Sequence, residues 1–326
     1  MNLKVALSNP VLCLLILLGM GQSLALAQSF PSKPVHIVVP FTPGGVTDIT
    51  ARAIAQDVSK VWGQPVIVDN RPGAGTRIGA EYVAKSAPDG HTIFLSDTSM
   101  SFVPYLYAKL AYDPVRDFAP LLCFAHSINV LVTAPGSPAK TLAEFIALGK
   151  ARPGQMTYGT FGVGSSTHML TAEFAMLAGI ELNHVPFKGI ADVMPAVMSG
   201  QIDVALSAMP PAVPLIRSGK VKALAFAGPS RPKVLPDLPT FHESGVPYES
   251  LGWFGLLMQG GTLRSALQRA AADIGRIVGT PEFNEKYIEG AGFIQVILGP
   301  DEFTEFLKKD RAAWAARVSR VNVKLD

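Results

Sequence analysis

The chain is poor in cysteine, nearly balanced in charge and, beyond its first 27 residues, without a long apolar run, and each shortage removes a class of function. Only two of its 326 residues are cysteine. Cys13 lies in the N-terminal apolar segment and Cys123 in the run Leu121-Leu122-Cys123-Phe124, so loss of that segment leaves no partner for an intrachain disulfide. Cys123 reads as a buried, inert thiol. Lys and Arg number 28 against 25 Asp and Glu, a formal charge of +3. So small and scattered an excess argues against nucleic acid and against an anionic membrane surface as partners. His36, His91, His126, His184 and His242 are dispersed without metal-ligand spacing. There is no Walker A sequence and no Gly-x-Ser-x-Gly elbow, and Gly73-x-Gly75 and Gly162-x-Gly164 lack the rest of a dinucleotide fingerprint. Ser166 and His168 stand too close in sequence for a hydrolase pair. The reading is a protein that is not an enzyme, with no cofactor and no metal; a secreted hydrolase is the remote alternative.

What is present begins with an export signal. Lys4 supplies a positive start, Val11 to Leu18 an apolar core, and Ala25-Leu26-Ala27 a small-x-small cleavage site before Gln28. Residues 1–27 are therefore expected to be a cleaved signal peptide and the product periplasmic. The apolar core is short for a bilayer span, and Gly19, Gly21, Gln22 and Ser23 interrupt its continuation.

Strands and helices then alternate. The spacing predicts a strand at Val35–Val39, a helix whose apolar positions are Ile54, Val58, Val61 and Trp62, stopped by Gly63, and a strand at 65–68. This is a βαβ unit, the beginning of a doubly wound α/β domain. A helix near 79–85 and a strand at 92–95 follow. From about residue 124 the pattern restarts, with strands at 129–133, 156–159, 181–185, 204–207 and 221–227 and helices at 141–151, 169–177 and 191–199. The last third holds a strand at 252–258 and helices near 263–278, 281–289 and 303–318, the last expected to pack back on the first domain. The economical organisation is a first domain in two parts, 28–125 and 249–326, with a second domain, 126–248, inserted between them. Two crossing strands would serve as the hinge.

Each half offers a Gly-rich loop that opens a helix. Pro40-Phe41-Thr42-Pro43-Gly44-Gly45 follows the first strand, and Phe161-Gly162-Val163-Gly164-Ser165-Ser166-Thr167 follows a strand of the second half. A helix start presents unpaired N–H groups and the positive end of a dipole, so facing loops of this kind can hold a small anion without a cationic side chain. The alternative is that both are ordinary connections.

These loops resemble the signature loops of the Bug (TctC-like) family of periplasmic solute-binding proteins. The resemblance continues through Asn70-Arg71-Pro72-Gly73-Ala74-Gly75, Ala87-Pro88-Asp89-Gly90, Tyr112-Asp113-Pro114, His184-Val185-Pro186-Phe187-Lys188-Gly189, Gly200-Gln201-Ile202-Asp203 and Trp253-x-Gly255. Thr76 departs from it, standing where the family usually has a third Gly. The resemblance implies a two-domain Venus flytrap, like the type II periplasmic binding proteins, with each domain a doubly wound sheet flanked by helices. It also implies a ligand carboxylate held by the first loop and by the Ser/Thr-rich second loop.

The expected ligand-binding set is Phe41, Thr42, Gly44, Gly45 and Asp48 from the first loop, Thr98 and Ser99 after the third strand, Gly164, Ser165, Ser166, Thr167 and His168 from the second loop, with Lys188 and Asp203. Thr98 and Ser99 qualify because doubly wound sheets place ligands at the carboxyl ends of strands. Asp48 either fixes its loop or meets a ligand donor or bridging water. Ser166 and Thr167 would cap the helix and touch ligand at once. His168 either packs or binds, Lys188 and Arg71 either attract an anion or are solvated, and Asp203 either ends a turn or reaches the ligand. The expected partners are a small organic carboxylate and the membrane subunits of a tripartite tricarboxylate transporter, or alternatively a sensor kinase; a monomer is expected.

Overall fold

The computed structural model describes residues 30–321 apart from Lys233 and Ala291. The expected signal peptide lies outside the described residues. In chain order the elements are β1 (Val35–Val39), α1 (Val46–Trp62), β2 (Val66–Asn70), α2 (Arg77–Ala84), β3 (Thr92–Asp97), α3 (Ser99–Leu106), β4 (Phe118–Thr133), α4 (Leu142–Ala151), β5 (Met156–Thr160) and α5 (Ser166–Ala178). They continue as β6 (Leu182–Pro186), α6 (Ile190–Met198), β7 (Val204–Ala208), α7 (Met209–Arg217), β8 (Lys222–Phe226), β9 (Leu251–Gln259), α8 (Arg264–Val278), β10 (Ile294–Leu298) and α9 (Pro300–Val321). Between α8 and β10 the chain makes one turn of helix, Pro281–Phe283, that runs into a π turn, Asn284–Ile288.

The strands run in the order β2-β1-β3-β9-β4-β7-β5-β6, with β8 and β10 also paired to β4. β1 lies parallel to β2 and β3, and β5 parallel to β6 and β7, as βαβ connections require. β1 has apolar residues on both faces because helices cover both. Val35, Ile37 and Val39 face α1 and α8, while Val38 faces the opposite layer with Ala80, Val83 and Phe303. The second domain has its own core, in which Val130, Leu131 and Val132 of β4 meet Leu170 and Phe174 of α5 and Val193 and Val197 of α6.

β4 joins the two α/β domains. Its residues up to Ile128 pair with β9, while Asn129–Thr133 pair with β7 on one side. β8 pairs with Val130 to Thr133 on the other. The chain returns beside this crossing. Ala227 N–H donates to Asn129 O at 2.8 Å, Ser250 N–H donates to Ala227 O at 2.8 Å, and β9 begins opposite Ile128. The crossing strand is thus longer than the 129–133 strand expected from sequence, because Phe118 and Leu121 to Ala125 are buried within the first domain.

The C-terminal helix departs from expectation more sharply. Phe303 and Leu307 pack on the first domain as expected, but Trp314 and Val318 enter the core of the second. Trp314 lies 4.8 Å, centroid to centroid, from Phe102 of α3, and Arg317 Nε donates to both carboxylate oxygens of Glu173 in α5 at 3.0 and 3.1 Å. Midway, Asp310 accepts the Trp253 indole N–H at 2.8 Å. Helix α9 therefore ties the two domains together behind the crossing strands. Trp314→Ala is expected to lower unfolding free energy by about 3–5 kcal/mol, the range for emptying a buried aromatic site. Urea denaturation checks this, and a loss below about 1 kcal/mol would show that the second seat of α9 contributes little.

Candidate functional site

β1 delivers the chain to Pro40 at the domain interface, and the loop turns at Gly44, whose φ of +84° suits glycine. Gly45 is the N-cap of α1 in extended conformation, with no side-chain cap, so the N–H groups of the first turn are left for another acceptor. Asp48 does not supply it and does not line the cleft. Its Oδ2 accepts from Gly44 N–H and Arg52 Nε, each at 3.0 Å, and its Oδ1 from Asn70 Nδ2 at 2.9 Å. Asn70 Nδ2 also reaches Phe41 O at 3.1 Å, so one network fixes both ends of the loop. Burial works to raise the Asp48 pKa, but the bonds from Arg52, Gly44 and Asn70 outweigh it and hold the carboxyl below its ordinary value.

The second loop is braced differently. Ser165, not Ser166 or Thr167, is the N-cap of α5: its Oγ accepts from His168 N–H at 3.3 Å. Ser166 and Thr167 occupy the first helical turn. His168 turns back to accept Gly164 N–H on Nδ1 at 3.1 Å and stacks on His184 at 4.0 Å. Burial pulls both imidazoles down to about 4, so both are neutral near pH 7. His184 Nε2 in turn shares a hydrogen bond with Thr160 Oγ1 at 2.6 Å. His168 is thus a brace for the loop rather than a lining residue, with its Nδ1 engaged by the Gly164 N–H.

Between the loops lies a cavity lined from both domains. The first loop contributes Phe41, Thr42, Gly45, Val46 and Thr47; the second contributes Phe161, Ser166, Thr167 and Leu170. Asp97 and Thr98 enter from the end of β3, Ser127 and Asn129 from β4, and Gly252 to Phe254 from β9, with Ala208 and Pro211 completing the wall. Of the residues named from sequence, the structure brings together Phe41, Thr42, Gly45, Thr98, Ser166 and Thr167. Asp48, Gly164, Ser165 and His168 stand behind them as loop formers, Ser99 opens α3 after Thr98, and Gly44 is exposed on an adjoining cavity that shares Gly45 and Val46. Lys188 is exposed and outside the lining, and Arg71 lies over the Tyr82 ring at 3.6 Å. Asp203 is remote from the cavity and accepts from Thr157 N–H at 2.7 Å and Thr157 Oγ1 at 2.9 Å, which ties β5 to the turn before β7.

Sequence reasoning missed Asp97, although it named the next two residues. This carboxylate is 4% exposed at the end of β3. Its Oδ1 accepts Ser99 N–H at 3.1 Å and also the Ser99 hydroxyl, and its Oδ2 accepts the Ser166 hydroxyl from the other domain at 2.9 Å. Ser99 Oγ shares a further bond of 2.8 Å with Thr76, which is held at φ +80°. Burial pushes the Asp97 pKa up. Among the cavity-lining residues no side chain is cationic.

The domains touch around the mouth. Phe41 and Phe161 meet edge to face at 5.3 Å, an added Cβ at Gly189 would strike Thr42, and one at Gly75 would strike the carbonyl of Val163. Glycine at 75 and 189 permits this approach.

A family model described as "Tripartite tricarboxylate transporter family receptor" matches residues 50–322. The chain is similar to protein BugT of Bordetella pertussis, with 32% identity over 302 residues covering 92% of each chain. It is also similar to a solved R. palustris protein with adipate, at 30% identity and TM-score 0.85, covering 90% of this chain and 98% of that one. MatC from Rhodopseudomonas palustris, solved with bound malate, gives 30% identity and TM-score 0.83 over 89% of this chain and 100% of that one. Among the described residues no helix is long and apolar enough to cross a membrane.

The Asp48 network has a measurable signature. Asp48→Asn is expected to lower stability near neutral pH by about 1.5–3 kcal/mol, the range for hydrogen bonds to a charged group. Because the folded-state pKa is lowered from 3.8, the carboxylate contributes fully above that value and its contribution is lost as pH falls through the folded pKa. Urea titrations of both proteins should converge on acidification; a difference independent of pH would assign the loss to shape rather than charge.

Proposed function

We infer the function from family and site together: the chain belongs to the tripartite tricarboxylate transporter receptor family, and its cleft suits capture of a small organic carboxylate. The observation that carries this reading is the convergence of two helix starts, one from each domain, on a cavity whose lining includes no cationic side chain. The ligand carboxylate would accept from the first-turn N–H groups of α1 at Val46 and Thr47 and of α5 at Ser166 and Thr167, aided by both helix dipoles. Phe41, Phe161 and Leu170 would cover its apolar part, and Thr42, Gly45 and Thr98 would complete the contacts.

Binding would drive closure, because the two sets of N–H groups belong to different domains. The boundaries proposed for these domains, 28–125 with 249–326 against 126–248, fall near the point where β4 changes partners. The proposed setting is the periplasm, reached by cleavage after Ala27, and the closed receptor would deliver its ligand to the membrane subunits of a tripartite transporter. Its role is binding without turnover: the Ser166 hydroxyl serves Asp97 and His168 serves Gly164, so the two make no nucleophile–base pair.

Thermal-shift screening of mono-, di- and tricarboxylates, amino acids and aromatic acids tests the reading. At about 100 times its dissociation constant a cognate acid should add roughly 2.7 kcal/mol to stability. Unchanged melting across the panel, on protein freed of co-purified ligand, would count heavily against it. Calorimetry then tests the mechanism. Ser166→Pro removes one N–H, together with the hydroxyl bonded to Asp97, at a position where proline fits a helix and should damage binding severely, whereas Ser166→Ala, which removes the hydroxyl alone, and Lys188→Ala should cost much less. Loss of binding in Lys188→Ala alongside near-normal binding by folded Ser166→Pro would replace helix-start capture with a cationic clamp.

A further inference from the structure

Among the described residues the only ionisable side chain lining the cavity is an acid. Asp97 is buried at the bottom of a cleft in which the proposed reading, on which this inference rests, places a second carboxylate. Its position is built rather than incidental. Ser99 gives it both an N–H and an O–H, Thr76 braces Ser99 from a left-handed backbone conformation that only a minority of non-glycine residues adopt, and Ser166 donates to it from across the domain interface.

A carboxylate has about four acceptor positions, and three of those on Asp97 are taken, two at Oδ1 and one at Oδ2. Oδ2 can therefore accept one more bond. The protein supplies only neutral donors, so an ionised Asp97 lacks a counter-charge in a site where burial already disfavours the charge. A ligand with a second carboxylate would make this worse, since two like charges in a desolvated site repel strongly.

Distance narrows the matter further. Ser166 belongs to the first turn of α5, where the ligand carboxylate is placed, and the hydroxyl of this same residue lies 2.9 Å from Asp97 Oδ2. The anion subsite and the acid are thus about one side chain apart. A ligand that satisfies both must carry its cationic donor within a bond or two of its carboxylate carbon. Phe41, Val46, Phe161, Leu170 and Pro211 give the wall an apolar part, beside the hydroxyls of Thr42, Thr47, Thr98 and Ser127 and the Asn129 amide.

We propose that Asp97 is a specificity-determining residue that makes this receptor select α-amino acids with uncharged side chains over simple monocarboxylates and dicarboxylates. The ligand carboxylate sits on the two helix starts, its ammonium group donates to Asp97 Oδ2, and its side chain lies against the apolar wall.

Calorimetry with matched probes tests this on protein freed of co-purified ligand. The probes are uncharged L-amino acids, the corresponding 2-hydroxy acids and deamino acids (for leucine, 2-hydroxy-4-methylpentanoate and 4-methylpentanoate), and succinate, malate and adipate. The tightest wild-type ligand should be an amino acid, bound on the order of ten- to a hundredfold more tightly than its deamino counterpart, as one hydrogen bond between charged groups predicts. Asp97→Asn should abolish most of that preference and improve dicarboxylate binding. If Asp97→Asn fails to fold, the wild-type ranking alone decides. Tightest binding of a dicarboxylate, a deamino acid or a 2-hydroxy acid by wild type, or a preference for amino acids that survives Asp97→Asn, would overturn the assignment and leave carboxylate capture standing. Failure of every acid to bind would overturn carboxylate capture itself, and this assignment with it.

Discussion

Two helices begin at the wall of one cleft, and the N–H groups of their first turns have no acceptors within the helices. Most of the local architecture answers to that constraint. Gly44 and Gly164 allow the backbone to turn sharply before each start, and Asp48 and His168, which look like binding groups on paper, are used to immobilise the loops. In both cases a side chain four residues downstream accepts the N–H of the loop glycine, Gly44 to Asp48 and Gly164 to His168. The two loops have different sequences and reach the same solution, with a carboxylate in one and a neutral imidazole in the other.

Neutrality around the second loop follows from burial. With His168 and His184 stacked and both pulled down to about 4, protonation near neutral pH would place charge in a buried ring pair that has no anionic partner among its hydrogen bonds. Cys123 shows the same effect of burial with the opposite sign: it is pushed up to about 12, and its thiol faces the carbonyl of Phe254 at 3.5 Å. None of His168, His184 and Cys123 lines the cleft, whose described lining is backbone, hydroxyls, an amide, apolar and aromatic side chains and one acid.

Much of this organisation was legible in the sequence because it is written in local periodicity and punctuation. β1, its Pro/Gly loop and α1 follow from an apolar pentad, a glycine pair and helical spacing, and the resemblance to the Bug family proved to be membership of the transporter receptor family that the sequence model describes. What escaped was non-local. α3 and α7 were missed because Pro104 lies inside the first and Pro210, Pro211 and Pro214 punctuate the second, although Pro210 and Pro211 fall in the opening turn, where proline is tolerated. β10 is a half-exposed edge strand with little apolar contrast. Asp203 was named for its motif, whereas its partner Thr157 lies 46 residues away. Asp97 was passed over because nothing in a strand's alternation marks one acid as buried; only the approach of Ser166, 69 residues on, does so.

A lid carried on two strands alone swings widely, but here α9, about 33 Å long at 1.5 Å per residue, is bolted at Phe303 and Leu307 to one side and at Trp314 and Val318 to the other. Any widening of the gap must therefore twist around a rod that keeps both bolts seated, with the indole of Trp253 and Asp310 near its midpoint. A motion that keeps both seats is a twist about this helix rather than a wide swing, so the packing that orders α9 also sets the direction in which the two halves can turn.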